Sequence, residues 1–383
     1  MQVYLDNSAT TRPYDAVRQA VFETMGDCYA NPASLHSAGK AAEDLVEAAR
    51  RSVARLMGAD AKEVVFTSGG TESDNLAILG YCAANARNGK RVITQKTEHP
   101  AVLQCFLALE KQGFDVQYLD VSRDGIVDLE QFASLLNKDT ILTSCMQVNN
   151  ETGAVMPISD MARILRQTCP SCALHVDGVQ GFGKCLEPVK TLGADLYSVS
   201  AHKLHGPHGV GALYVKKGIR LSPHMYGGGQ EGGLRSGTGN TAGICGFQTA
   251  CELQFAALKE NFGHAAMLKN ALLDGLRDLP DVLNNSSADA LPYIVNLSFL
   301  GVKSEVLLHV LESYGIYVSS GSACSSHKRT GSHVLNAMGL SKNEVDSALR
   351  FSFSHFNTLE EVLYVTDVLR REVPALRKIM RIK

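Results

Sequence analysis

Glu63-Val64-Val65-Phe66-Thr67-Ser68-Gly69-Gly70-Thr71-Glu72-Ser73-Asp74-Asn75 passes from an apolar, strand-like run through two glycines into a helical one. The same pattern repeats along the chain. Glu63 to Thr67 reads as a strand, Glu72 to Ala84 as a helix, Arg91 to Thr94 as a strand and Pro100 to Glu110 as a helix. Val116 to Val121, Leu129 to Leu136 and Ile141 to Val148 continue as strand, helix and strand. Alternation at this pitch implies an α/β fold with a parallel sheet covered on both faces. Ligands of such sheets sit at the carboxyl ends of the strands.

The strand-to-helix junctions are therefore where chemistry is expected. At the first, Gly70 lets the backbone approach an anion and Thr71 adds a hydroxyl, while the amides and dipole of a helix start favour a phosphate. No Gly-Lys-Ser/Thr follows, so this is not a Walker loop, and a plain capped turn fits equally well. His99-Pro100 ends the next strand, placing an imidazole that can lie on an aromatic ring and handle protons, or simply cap a helix. In Asn149-Asn150-Glu151-Thr152-Gly153, the Asn150 amide can bond a ring oxygen, although turn chemistry also explains such a strand end.

Leu174-His175-Val176-Asp177-Gly178-Val179-Gln180 is an apolar strand ending in a carboxylate, with a glutamine three residues on. Asp195 to Val199 is a further strand, leading into Ser200-Ala201-His202-Lys203 and the glycine-containing turn Gly206 to Gly211. A lysine at a strand exit is ordinarily a solvated charge; its chemical use is as an amine that holds an aldehyde cofactor. Pyridoxal phosphate needs such a lysine and a carboxylate that keeps its pyridinium nitrogen protonated. Lys203 and Asp177 fit those two roles.

Composition narrows the ligand class. Net charge is −2 with no basic block, which argues against nucleic acid and anionic membranes and points to small molecules. No signal-peptide pattern opens the chain and no run of 18 apolar residues occurs, so a cytoplasmic location is expected. Ten scattered cysteines suit a reducing compartment. Cys169-Pro170-Ser171-Cys172 lacks a second ligand pair at zinc-site spacing and reads as incidental, so no metal site is expected. Cys245 and Cys251 lie on an apolar helix and read as structural.

Beyond the glycine loop Gly227 to Thr238, which carries Arg235, the residues Ile244, Phe247, Cys251, Phe255 and Leu258 make the core stripe of one long helix. That helix is expected to join a large unit, residues 13–255, to a smaller α+β unit formed by residues 1–12 and 256–383. In the smaller unit Tyr293 to Phe299 and Arg350 to Phe353 read as strands and Glu305 to Ser313 as a helix. Arg350 can fork onto a carboxylate or serve an ion pair between the units. Ser319 to Ser332 is a small-residue polar segment around Cys324, whose thiol is expected to be made more acidic by the positive or titratable groups at 327–329.

Read in order, Thr-Ser-Gly-Gly-Thr-Glu-Ser-Asp-Asn, Glu-His, Val-Asn-Asn-Glu, His-Val-Asp-Gly-Val-Gln, Ser-Ala-His-Lys, Arg-Ser-Gly-Thr and Ser-Ser-Gly-Ser-Ala-Cys span nearly the whole chain. Together they resemble a cysteine desulfurase of the NifS/IscS type, in the class V aminotransferase family. The resemblance implies the PLP-dependent transferase fold type I with a mostly parallel seven-stranded sheet, and a homodimer. It implies conversion of L-cysteine to L-alanine, with sulfur passed to an enzyme persulfide and then to an acceptor protein such as an iron–sulfur scaffold or a thiolation enzyme.

Carried over, Lys203 would be the Schiff-base lysine, Asp177 the pyridinium partner, Gln180 and Asn150 the ring-oxygen and ring-side contacts, and His99 the stacking residue. Gly70, Thr71, Ser200 and His202 would hold the phosphate, with Thr238 reaching it from the other subunit. Arg350, helped by Arg235, would bind the substrate carboxylate, and Cys324 would attack its sulfur. Gly70 stands where many relatives carry alanine, and Leu204-His205 replaces a more usual pair. A selenocysteine lyase or a cystine/cysteine lyase on the same fold would differ in not requiring Cys324. A non-catalytic sulfur carrier would have no use for Lys203 with Asp177.

Overall fold

A computed structural model describes residues 1–320 and 331–380. Its strands in chain order are β1 (Val3–Tyr4), β2 (Val64–Thr67), β3 (Arg91–Gln95), β4 (Asp115–Leu119), β5 (Thr140–Met146), β6 (Ala173–Asp177) and β7 (Leu196–Ser200). They continue with β8 (Gly211–Val215), β9 (Val282–Asn284), β10 (Ile294–Phe299), β11 (Ile316–Tyr317), β12 (Ser319–Ser320) and β13 (Ala348–Ser352).

Seven of them form the central sheet in the order β2-β8-β7-β6-β5-β3-β4. The strands from β7 through β4 pair in parallel, while β8 runs antiparallel to both of its neighbours, β7 and the edge strand β2. The expected seven-stranded, mostly parallel sheet is thus present, whereas β8 reads in the sequence only as the continuation of a glycine turn. Gly211 explains its close fit: a Cβ there would meet the Val199 carbonyl at 2.5 Å and Gly69 Cα at 2.8 Å.

Both faces of the sheet are buried because successive strand residues point to opposite sides. Val64 and Phe66 join one apolar cluster and Val65 the other; Ile93 and Val92 divide in the same way, as do Tyr197 and Leu196. Leu76 and Tyr81 of the helix Gly70–Asn85, with Val102 and Phe106 of the helix Pro100–Lys111, cover one face. The other takes Val53 and Met57 of the helix Ser37–Met57 and Met161 and Leu165 of the helix Ile158–Thr168.

The single long helix expected after residue 240 is two: Thr241–Ala256 and Leu258–Leu276. Ile244, Phe247 and Cys251 pack on the central sheet, while Leu268, Leu272 and Leu276 pack in a second core with Val295, Leu297, Phe351 and Val365. One straight rod could not turn an apolar stripe toward both cores, and the break at Ala257 lets each half face its own.

That second core backs an antiparallel sheet of order β12-β13-β10-β9. Val3 and Leu5 belong to it, and β1 pairs with β11. The chain start is then drawn across the central sheet: Asn7 Nδ2 donates to the Ser352 carbonyl at 2.8 Å, and the Thr11 hydroxyl to the His202 carbonyl at 2.8 Å. No helix among the described residues is long and apolar enough to cross a membrane.

Candidate active site

The carboxyl ends of β2, β3, β5, β6 and β7 converge on a cavity of about 360 Å³. Gly70, Thr71, His99, Asn150, Asp177, Gln180, Ser200, His202, Lys203 and Arg350 all line it. This is where parallel sheets place ligands, since the strand ends and following helix starts leave backbone groups directed at the opening.

Lys203 lies in the short turn Ala201–Lys203 directly after β7. Its Nζ donates to the carbonyls of Ser8 at 2.7 Å and Ala9 at 2.6 Å. The lysine therefore reaches across the cavity to the chain start. On the neighbouring strand Asp177 closes β6, and its Oδ1 accepts from the Val179 amide at 3.0 Å. Burial raises this carboxyl to about 6, against the opposing effects of that amide and the Lys203 charge. Only glycine fits between the two: a Cβ on Gly178 would lie 1.9 Å from the Tyr197 ring.

Gln180 donates from Nε2 to the Ser8 carbonyl at 2.9 Å, and its Oε1 accepts from Lys184 Nζ at 3.2 Å. His99 does both things expected of it. It lines the cavity, and as N-cap of the helix Pro100–Lys111 its Nδ1 accepts from the Ala101 amide at 3.2 Å. Burial first, then the charges of Lys203 and His333, hold its imidazole down to about 4. It is neutral at physiological pH.

The helix Gly70–Asn85 begins at the cavity with no side chain capping its first amides. Ser200, at the end of β7, and His202 stand beside it, with the His202 ring 3.1 Å from the Thr10 hydroxyl. Free amides, hydroxyls and a helix N-terminus are what a dianionic phosphate requires.

Arg350 comes from β13 of the other sheet. Its Nη2 pairs with Asp6 Oδ1 at 2.6 Å and Nη1 donates to the Asn150 carbonyl at 3.0 Å, while buried Nε has no acceptor among the described residues. The cavity position is therefore realised, whereas the ion pair is made with Asp6, a residue of the same expected unit as Arg350, and what reaches toward the central sheet is the hydrogen bond to the Asn150 carbonyl.

Arg235 and Thr238 are not brought into this cavity. Both line a second one of about 240 Å³, where Arg235 Nε pairs with Glu72 Oε1 at 2.8 Å and Thr238 is exposed. Cys324 lies outside the described residues. Cys169 and Cys172 are buried, and no cluster of metal-ligating side chains occurs among the described residues. Cys245 and Cys251 are buried on their helix.

Sequence reasoning passes over several residues of the site. Ser8 and Ala9 act through backbone carbonyls, which carry no side-chain signal. Asp74 sits on the cavity wall, fully buried, with its pKa raised by burial and by the Asp177 charge. Glu98, beside His99, accepts from the Met146 amide at 2.6 Å; burial, then the Asp177 charge, lifts it to about 8. Three carboxyls thus share one dry region, and repulsion keeps them from all ionising. The spacing of Gln180 and Lys184, one helical turn apart, is the available signal for the latter.

Residues 3–365 match the family described as Aminotransferase class-V. The chain is 43% identical over 383 residues to a protein named cysteine desulfurase IscS from Vibrio cholerae, covering 98% of this chain and 94% of that one. Its fold superposes on a solved NifS-like protein with a TM-score of 0.93, at 37% identity, covering 98% of this chain and all of that one. It also superposes on SspA, solved in complex with cysteine, with a TM-score of 0.82 and 32% identity over 93% of this chain and all of that one. With the sheet, the lysine and the carboxylate in the places described, the chain belongs to the class-V aminotransferase family and, within it, to the cysteine desulfurases of the NifS/IscS type.

Proposed function

We propose that the cavity holds pyridoxal 5'-phosphate and that the chain uses it to convert L-cysteine to L-alanine, passing the sulfur to Cys324 and from there to an acceptor protein. The observation that carries this is the pairing, within one cavity at adjacent strand ends, of Lys203 with the buried carboxyl of Asp177. The fit extends to the phosphate, for which the uncapped start of the helix Gly70–Asn85 and the neighbouring Ser200 and His202 supply donors. When bound, the group supplies an aldehyde for an amine and a ring that withdraws electrons from the substrate α-carbon.

The chain's residues do the rest. Lys203 would be the amine that holds that aldehyde and the base that takes the substrate α-proton. Asp177 would hold a proton on the nitrogen of such a ring, and neutral His99 would stack on it without adding charge. Arg350, which lines the cavity and whose buried Nε has no acceptor among the described residues, would take the substrate carboxylate. Cys324 attacks the substrate sulfur as thiolate: an S–S bond forms as the carbon–sulfur bond breaks, the bond's electron pair stays with the β-carbon, which takes up a proton, and Lys203 returns the proton it took to the α-carbon, giving alanine.

A second copy completes the assembly. Phe22 and Met25, three residues apart on the helix Asp15–Asp27, are 75% and 66% exposed, and Tyr29 and Leu35 follow them exposed. Such a run of apolar side chains calls for a partner. Thr238 on the nearby glycine loop would reach the partner's phosphate, which makes the homodimer the active unit.

Borohydride treatment of the purified, cofactor-loaded protein tests the reading. The protein is expected to be yellow and the reduced cofactor to be found on the peptide that contains Lys203. A colourless protein with Lys203 unmodified would sink it.

A further inference from the structure

Lys184 is a buried amine with no carboxylate paired to it among the described residues. It is 5% exposed, and the groups that act on it are Lys203, Cys185 and Arg350. Its Nζ donates to Gln180 Oε1 at 3.2 Å and stands 5.9 Å from the centre of the Tyr293 ring. Removing an ammonium from water without an anion is costly, so a lysine in this position needs a use.

The hydrogen bonds indicate one. An ammonium can only donate, so Gln180 must turn its oxygen to Lys184 and its NH2 group away from it. That NH2 group meets the Ser8 carbonyl at 2.9 Å, and the same carbonyl accepts from Lys203 Nζ at 2.7 Å. An unbroken line therefore joins Lys184, Gln180, Ser8 and Lys203. We propose that Lys184 is a positioning residue: it locks the Gln180 amide with Nε2 toward Ser8 and the cavity, and holds a second amine at the far end of the line from Lys203.

The proposal rests on the cavity being a pyridoxal phosphate site. Burial first, then the charges of Lys203 and Arg350, against Cys185, bring Lys184 down to about 7. His202 and His205 are held low in part by Lys184. Lys184 therefore changes charge near neutrality, in the field of Lys203.

The test uses the full chain with Lys184→Met and Lys184→Gln, each alone and with Gln180→Ala. Methionine removes donor and charge; glutamine restores a donor without the charge. With pyridoxal phosphate as the probe, Lys184→Met is expected to bind about fivefold more weakly, the loss of one hydrogen bond. Lys184→Gln should recover that binding, and neither change should matter further once Gln180 is alanine. The pH midpoint of the loaded enzyme's visible absorbance should rise in both variants by at most about half a unit, because the part of the Lys184 charge still present near pH 7 is gone.

The cofactor-free chain gives an independent reading. A lysine whose folded pKa lies below its unfolded value makes the unfolded chain the better proton binder between about 7 and 10.5. Wild-type stability to urea should accordingly rise with pH across that window by more than that of Lys184→Met. Cofactor affinity and absorbance midpoint unchanged in Lys184→Met, or the same loss of affinity with Gln180 already alanine, would overturn the proposal while leaving the enzyme's function standing. A colourless wild type would overturn both.

Discussion

Arg350→Lys separates a substrate-binding arginine from one that only ties two sheets together. Arginine at this position makes two hydrogen bonds to the described residues, to Asp6 Oδ1 at 2.6 Å and to the Asn150 carbonyl at 3.0 Å, and its buried Nε has no acceptor among them. Lysine preserves the charge and can still pair with Asp6, but it has no fork and nothing in the place of Nε. A hydrogen bond to a charged group is worth about 1.5–3 kcal/mol, so kcat/KM for cysteine should fall roughly 10- to 150-fold. Stability should fall by about 1.5–3 kcal/mol, the value of the one charge-assisted bond lost to the Asn150 carbonyl. Alanine release is measured against L-cysteine concentration, with cysteamine, which lacks the carboxylate, as a competing ligand. In the variant the preference for cysteine over cysteamine should shrink by the same factor as kcat/KM. An activity within twofold of wild type, or a loss that leaves this preference untouched, would show that Arg350 does not bind the carboxylate.

Cys324→Ser should bind the cofactor and cysteine but release almost no alanine from cysteine, because a serine hydroxyl is a far weaker nucleophile than a thiolate. Release at the wild-type rate would make a lyase without a persulfide the better reading. His99 is held near 4 in the folded chain against 6.5 for an unperturbed histidine, so the stability it lends is present above 6.5 and lost as pH falls toward 4. The loss is about 3 kcal/mol at most; urea unfolding of the cofactor-free chain should show His99→Gln escaping it, and an equal loss in both proteins would contradict the assignment. Phe22→Glu combined with Leu35→Glu should give a monomer by sedimentation, with little activity; a dimer as stable as wild type would place the interface elsewhere.

Much of this architecture is legible from short-range order. Strand and helix alternation from Glu63 to Met146 appears because buried parallel strands are continuous apolar runs and amphipathic helices repeat every three or four residues, and both signals are local. Lys203, Asp177, Gln180 and His99 are legible for a related reason: each lies at or just beyond a strand end, where the fold exposes ligand-binding groups. What local order could not reveal is β8, whose glycine start is demanded by the approach of Val199 and Gly69 from elsewhere in the sheet.

The chain start shows the limit most clearly. Asp6 to Thr11 reads as a polar turn, yet it supplies the two carbonyls that receive Lys203 and the carboxylate that receives Arg350, from residues nearly 200 and 350 positions away. Arg235 is the opposite case, an arginine in a motif that the fold turns away from the cavity and gives to Glu72. Residue order settles which side chains exist to do chemistry and which segments end in them. Which of them meet is settled by the folded chain, because hydrogen bonds and charge pairs depend on distances of a few ångströms that long-range packing alone sets.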